Sequence, residues 1–263
     1  MKKIAVIGAG NMGGAIINAV ASDSAFEKEN IYVYDKVIKD NIKNLGVKCV
    51  SLKDALSSDC IILAVKPNII KDVCEEIKDS CDISGKMFIS IAAGVKIATL
   101  RDALSTNKII RVMPNICLTA GEGMSVLCKD DGISEDELSF AESIFELAGK
   151  TTVIKEELID ACTAINGSGP AYVFIFMEAM ADAAVSLGID RKTAYELSAQ
   201  TVLGSAALML ESGVHPAELK DRVCSPGGTT IEAVKALENA GLRNAVFSAV
   251  TACAQKASEM GKS

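Results

Sequence analysis

The sequence predicts an α/β fold, a doubly wound parallel sheet over residues 1–155 followed by an all-α domain over residues 156–263. Three observations carry that expectation. The chain opens on a short β-branched run, Ile4-Ala5-Val6-Ile7, which meets glycines at once. Buried-strand and helical patterns then alternate, and each strand stops in a Gly, Pro or small-residue turn. Near Ile154 the alternation ends, and four or five helical patterns fill the remainder with no convincing strand.

The first strand runs into Gly8-Ala9-Gly10-Asn11-Met12-Gly13, a G-x-G-x-x-G pattern in the setting that gives it meaning. Gly8 suits a tight turn, Gly10 lets backbone approach a pyrophosphate, and Gly13 allows a helix to pack closely on the strand. A helix starting near Asn11 points its free N–H groups and positive dipole end at that anion. Ile31 to Tyr34 reads as the second strand and Asp35 closes it, where an acid meets the ribose of a dinucleotide. A Rossmann-like domain that binds a dinucleotide is the expectation.

Val47 to Val50 is a short third strand, and Ser51 is placed to cap the helix Leu52 to Leu56. Cys60 to Val65 is a plain buried strand ended by Lys66-Pro67, since Pro67 cannot donate to a ladder and holds Lys66 extended. A helix from Ile69 to Ile77 leads to the fifth strand, Met87 to Ile91, which opens into Ala92-Ala93-Gly94, flat enough for a ring to lie on. Lys108 to Val112 is the sixth, ended by Met113-Pro114-Asn115. Ligands of open α/β sheets sit beyond the carboxyl ends of the strands, so these turns are the expected wall of the site.

In the second half, Ile159 to Ile165 is helical until Asn166-Gly167-Ser168-Gly169-Pro170, where Pro170 predicts a break. From Ala171 to Leu187 only Glu178 and Asp182 are charged, so this helix is expected to be buried on most sides, partly by a second subunit. Arg191 to Glu211 is a second long helix. His215-Pro216 reads as a structural turn rather than a general acid, and Glu178 with Asp182 as a solvated stripe rather than an acid–base pair. Ser225-Pro226-Gly227-Gly228-Thr229-Thr230 opens a helix with converging N–H groups and hydroxyls. It suits a carboxylate, while a plain Pro-Gly-Gly turn with a Thr cap is the competing assignment.

Composition excludes several classes. A formal charge of −7 argues against nucleic acid as a partner. No uncharged apolar run approaches the roughly eighteen residues a membrane span needs. A strand beginning at Lys3 leaves no room for a leader, so a cytoplasmic protein is expected. Nine cysteines without a C-x-x-C pair and a single histidine give no metal site.

Six segments in this order, Gly8 to Gly13, Ala64 to Pro67, Ser90 to Gly94, Met113 to Asn115, Gly167 to Tyr172 and Ser225 to Thr230, resemble pyrroline-5-carboxylate reductase over essentially the whole chain. The resemblance implies NAD(P)H-dependent reduction of the cyclic imine 1-pyrroline-5-carboxylate to L-proline. It assigns Gly8, Ala9, Gly10, Asn11 and Met12 to the pyrophosphate. Ala64, Val65, Lys66, Pro67, Ala92, Ala93, Gly94 and Asn115 fall on the path from adenosine to nicotinamide, and Ser51 on the adenosine side. Ser225, Gly227, Gly228 and Thr229 inherit the substrate carboxylate, and Thr230 the hydrogen bond to the imine nitrogen, with Ser225 and Thr230 as the catalytic pair. It also makes the helical half a dimerisation domain, in a homodimer or higher homo-oligomer.

Three positions depart from the family pattern. Ile116-Cys117 stands where Thr-Pro is common, and Asn166 where a serine is usual. Asp35 replaces small hydroxyl residues that often meet a 2′-phosphate, which tilts the expectation toward NADH. Two other classes fit the residues less well. A 3-hydroxyacid dehydrogenase needs a Gly-x-x-x-Lys-Asn grouping absent after Ile154, and a non-catalytic NAD(P) sensor leaves Ser225 to Thr230 without a role.

Overall fold

The computed structural model describes residues 2–260. They form two compact units, one running to Ser168 and including the chain from Cys253, the other Gly169–Ala252.

The first unit is built on an eight-stranded sheet. Its elements in order are β1 (Ile4–Ile7), α1 (Asn11–Ser22), β2 (Ile31–Tyr34), α2 (Asp40–Lys43), β3 (Lys48–Cys49), α3 (Leu52–Ala55) and β4 (Cys60–Leu63). Then come α4 (Ile70–Ser80), β5 (Met87–Ser90), α5 (Ile97–Leu104), β6 (Ile109–Met113), β7 (Gly123–Lys129), α6 (Glu135–Glu146), β8 (Gly149–Val153) and α7 (Ile159–Cys162). The spatial order is β3-β2-β1-β4-β5-β6-β7-β8. Alternate residues of each strand face opposite sides. Ile4, Val6, Val33 and Ile62 pack under α1 and α6, while Ala5, Ile7, Ile61 and Phe88 pack under α3, α4 and α5. Covering both faces is why the strands read as continuous apolar runs.

Strand register sets up the site. Ile7 lies opposite Tyr34 and Leu63, and Leu63 opposite Ser90, so β1, β2, β4 and β5 end level on one sheet edge. The strand order reverses direction at β1 and β4, which makes the crevice beyond their carboxyl ends the switch point.

Beyond β6 the sheet differs from a wholly parallel one. β7 runs antiparallel to β6, with Arg111 opposite Cys128, and β8 is parallel to β7. The connection from Met113 to Gly123 is too short for the crossover that a parallel pair requires. It holds only a 3₁₀ turn at Ile116–Ala120. The expected break at Pro170 is present in a specific form. After α7 comes a π-helical turn, Thr163–Gly167, and a new helix starts at Gly169.

The second unit comprises α8 (Gly169–Ser186), α9 (Arg191–Ser212), α10 (Pro216–Val223), α11 (Thr229–Asn239) and the start of α12 (Leu242–Met260). Within the single chain, α8 is only partly covered. Ala181 alone is fully covered, whereas Phe174 and Ile175 are 57% and 65% exposed. Leu203 and Leu210 of α9 and Phe247 of α12 are also exposed. Among the described residues no helix is long and apolar enough to cross a membrane.

Candidate active site

The glycine-rich turn has the shape a dinucleotide needs. Gly8 takes φ +104°, and a Cβ there would lie 2.6 Å from the Ala64 carbonyl oxygen. A Cβ on Gly13 would overlap the Gly8 carbonyl, so α1 packs on the turn only because that residue is bare. Gly10 differs, since its Cβ would meet nothing within 4 Å. It is the N-cap of α1 and makes no side-chain cap bond, leaving the first-turn N–H groups of Asn11 and Met12 for an external acceptor. Two tight glycines and one open one fit a pyrophosphate cradle. A cleft of about 860 Å³ opens beside the turn, and Ala9, Gly10, Asn11, Asn18 and Lys39 are among the residues that line it.

Asp35 follows β2 and is partly buried. Its Oδ2 accepts the Ala9 N–H at 2.6 Å, and its Oδ1 accepts the Val37 N–H at 3.1 Å. An ionised carboxylate has about four acceptor positions, so two protein bonds leave capacity for ribose hydroxyls. Ser51 caps α3, accepting the Asp54 N–H at 3.2 Å while its hydroxyl donates to Asp54 Oδ2 at 2.6 Å.

On the other side of β1, Ala64 N–H donates to the Ile7 carbonyl at 2.8 Å and draws Ala64-Val65 against the glycine turn. Lys66 is exposed and precedes a 3₁₀ turn that begins at Pro67. After β5, the buried Ser90 Oγ accepts the Ala92 N–H at 3.3 Å, and Gly94 takes φ +76°. That turn feeds α5, whose Ile97 N–H donates to Glu156 Oε1 at 2.7 Å. The same oxygen is 3.0 Å from the Arg111 guanidinium, which is buried in β6. Glu156 therefore binds the start of α5 to β6. This contact was not foreseen, and the only hint in the sequence was an arginine inside an apolar strand.

Asn115 ends the β6 turn. Its Oδ1 accepts the N–H groups of Cys117 and Met124 at 3.2 and 3.3 Å, and its Nδ2 donates to Asn166. The expected cofactor residues Gly8 to Met12, Asp35, Ser51, Ala64 to Pro67, Ala92 to Gly94 and Asn115 thus all follow strands β1 to β6 in the first unit.

In the second unit, Ser225 to Thr230 form the approach to α11. Gly227 takes φ +65°, and Gly228 N–H donates to the Ser225 carbonyl at 3.0 Å. Gly228 is the N-cap without a side-chain cap bond. Ser225 Oγ lies against its α-carbon, where a Cβ would collide with it. Thr229 and Thr230 occupy the first turn, so their N–H groups stand at the positive helix end. His215 caps α10, its Nδ1 accepting the Ala217 N–H at 3.2 Å, and Asp182 pairs with Arg191 at 2.5 Å. Neither is arranged as an acid–base group. Among the described residues no cluster of His, Cys, Asp or Glu could hold a metal ion.

The chain is similar to known proteins over nearly its whole length. A family model described as pyrroline-5-carboxylate reductase dimerisation matches residues 156–260, and one described as NADP oxidoreductase coenzyme F420-dependent matches residues 3–94. Pyrroline-5-carboxylate reductase of Methanosarcina acetivorans is 43% identical, covering 99% of this chain and 98% of its own. The solved structure of a pyrroline-5-carboxylate reductase from Coxiella burnetii superposes with a TM-score of 0.92 at 36% identity, covering 98% of each chain. That of Plasmodium falciparum pyrroline carboxylate reductase, with NADP bound, gives 0.89 at 34% identity over 99% and 98%.

Proposed function

This chain belongs to the pyrroline-5-carboxylate reductase family, and we propose from that membership that it reduces 1-pyrroline-5-carboxylate to L-proline with NAD(P)H, the last step of proline biosynthesis. The observation that carries the proposal is the pairing of two unlike sites in one chain. One is a glycine turn shaped for a pyrophosphate, the other a hydroxyl-rich helix end suited to a carboxylate.

When bound, the nicotinamide supplies the hydride. The chain's own residues bind and orient. The turn Gly8 to Met12 holds the pyrophosphate, with Asp35 and Ser51 on the adenosine side and Ala64 to Pro67, Ala92 to Gly94 and Asn115 toward the nicotinamide. Ser225, Gly227, Gly228 and Thr229 take the substrate carboxylate, and Thr230 donates to or accepts from the imine nitrogen. An imine protonated from solvent is already electrophilic, so orientation and charge matter more than an acid–base triad. This suits a chain whose single histidine serves as a helix cap.

Residues 1–155 serve as the dinucleotide domain and residues 156–263 as the substrate and dimerisation domain. The exposed apolar residues of α8 are covered by a second copy of the chain, and the protein works in the cytoplasm. Adding the imine to protein and NADH or NADPH tests the function. Steady loss of nicotinamide absorbance, with proline formed in equal amount, is expected. Absence of turnover with both cofactors rejects it.

A further inference from the structure

Asn115 and Asn166 come from distant parts of the first unit and interlock their amides. Asn166 Nδ2 donates to the Met113 carbonyl at 2.7 Å, and Asn115 Nδ2 donates to both the side-chain and backbone oxygens of Asn166 at 3.2 Å. With Asn115 Oδ1 already taken by Cys117 and Met124 N–H groups, both amides are spent on holding the β6 turn. Packing gives a second, independent observation. Gly167 approaches so closely that a Cβ there would lie 2.5 Å from Met113 Cε. Asn166 and Gly167 belong to the π-helical turn, closed by Ser168 N–H on the Thr163 carbonyl at 2.9 Å. Such turns are rare and concentrate where a helix must present unusual geometry.

The geometry points to Asn166 as a positioning residue for the nicotinamide half of the cofactor. This rests on the proposed function, in which the dinucleotide lies across the strand ends. Asp35 stands on the adenosine side of β1, and the β4, β5 and β6 turns on the other. The turn Met113 to Asn115 is then the last wall of the nicotinamide side. Asn166 fixes that wall through the Met113 carbonyl and the Asn115 amide. A serine there carries one hydroxyl oxygen on Cβ in place of the amide, and lacks the separate donor and acceptor atoms that bond Met113 and Asn115.

Calorimetric titration of Asn166→Ala and Asn166→Asp separates positioning from simple scaffolding. Each variant is titrated with NADH and with ADP-ribose, which lacks the nicotinamide, and with NADPH and its 2′-phosphorylated ADP-ribose counterpart. Loss of the side-chain bonds weakens binding of the whole dinucleotides about three- to tenfold, while the ADP-ribose ligands bind as before. Asn166→Asp keeps the size of the side chain but sets a carboxylate against the Met113 carbonyl. It shows at least the same selective loss, and it decides the matter if the alanine variant does not fold. Unchanged dinucleotide affinity, or an equal loss for the ADP-ribose ligands, overturns the proposal. The titrations contain no imine, so failure of that substrate leaves their outcome intact.

Discussion

The carboxylate of Asp35 accepts the backbone N–H of Ala9 at 2.6 Å and so closes the glycine-rich turn from the end of the neighbouring strand. The acid that the sequence pattern assigns to ribose is also a clamp on the pyrophosphate cradle. In the proposed function its negative charge stands on the adenosine side of the cofactor.

Cofactor choice follows from that clamp. Two like charges a few Å apart repel by about 1–4 kcal/mol in wet surroundings, so a 2′-phosphate meets a penalty that Lys39, on the adjoining cleft, offsets only in part. NADH is expected to be preferred over NADPH in kcat/KM. Asp35→Ser loosens the turn for both and removes the repulsion for one, so the ratio narrows or reverses. A ratio that Asp35→Ser leaves unmoved would show that Asp35 does not set the preference.

The proposed function puts the substrate carboxylate at the α11 N-terminus. A hydrogen bond to a charged group contributes about 1.5–3 kcal/mol, so Thr230→Ala should lower kcat/KM roughly ten- to a hundredfold. Cofactor affinity, measured by titration, stays at the parent value. Unimpaired turnover by the variant would remove Thr230 from the mechanism.

Assembly is tested through α8. A surface with Phe174 and Ile175 more than half exposed needs cover, and an obligate interface of that kind buries more than about 2,000 Å². The protein should sediment as a dimer or larger at micromolar concentration. Ile175→Glu should shift it toward monomer and lower its melting temperature. A fully active monomer would contradict the assignment.

The first unit also carries a defined acid response. Burial acts to raise the Glu137 pKa, but the Lys108 ammonium at 2.6 Å and the Ser134 N–H and hydroxyl outweigh it and hold the carboxyl below its ordinary range. A depressed folded pKa means that the stability from this group is complete above its unfolded pKa, about 4.3. It is lost as pH falls through the lower folded value. Urea midpoints across that range should fall less steeply in Glu137→Gln than in the parent. Parallel curves for the two proteins would rule the group out.

The strands β1 to β6 and their turns were legible because both faces of the sheet are covered, which turns each strand into an unbroken apolar run. β7 and β8 were not. Gly149-Lys150-Thr151-Thr152-Val153 lies at the sheet edge, half exposed, and mixes polar with apolar residues. Helix α6 did leave a signal, the capping box of Ser134 and Glu137. The glycine turn and the α11 approach were readable because each needs a bare α-carbon at a fixed place. What the amides of Asn115 and Asn166 bind was hidden, since one π-helical turn leaves no period in a sequence and a 51-residue separation leaves no pattern.

The destination of the hydride tests the account most directly. With nicotinamide cofactor deuterated at the transferring C4 position, the protein should convert 1-pyrroline-5-carboxylate into proline carrying one deuterium at C5, in step with cofactor oxidation. Proline without deuterium, or cofactor oxidised without proline, would contradict it.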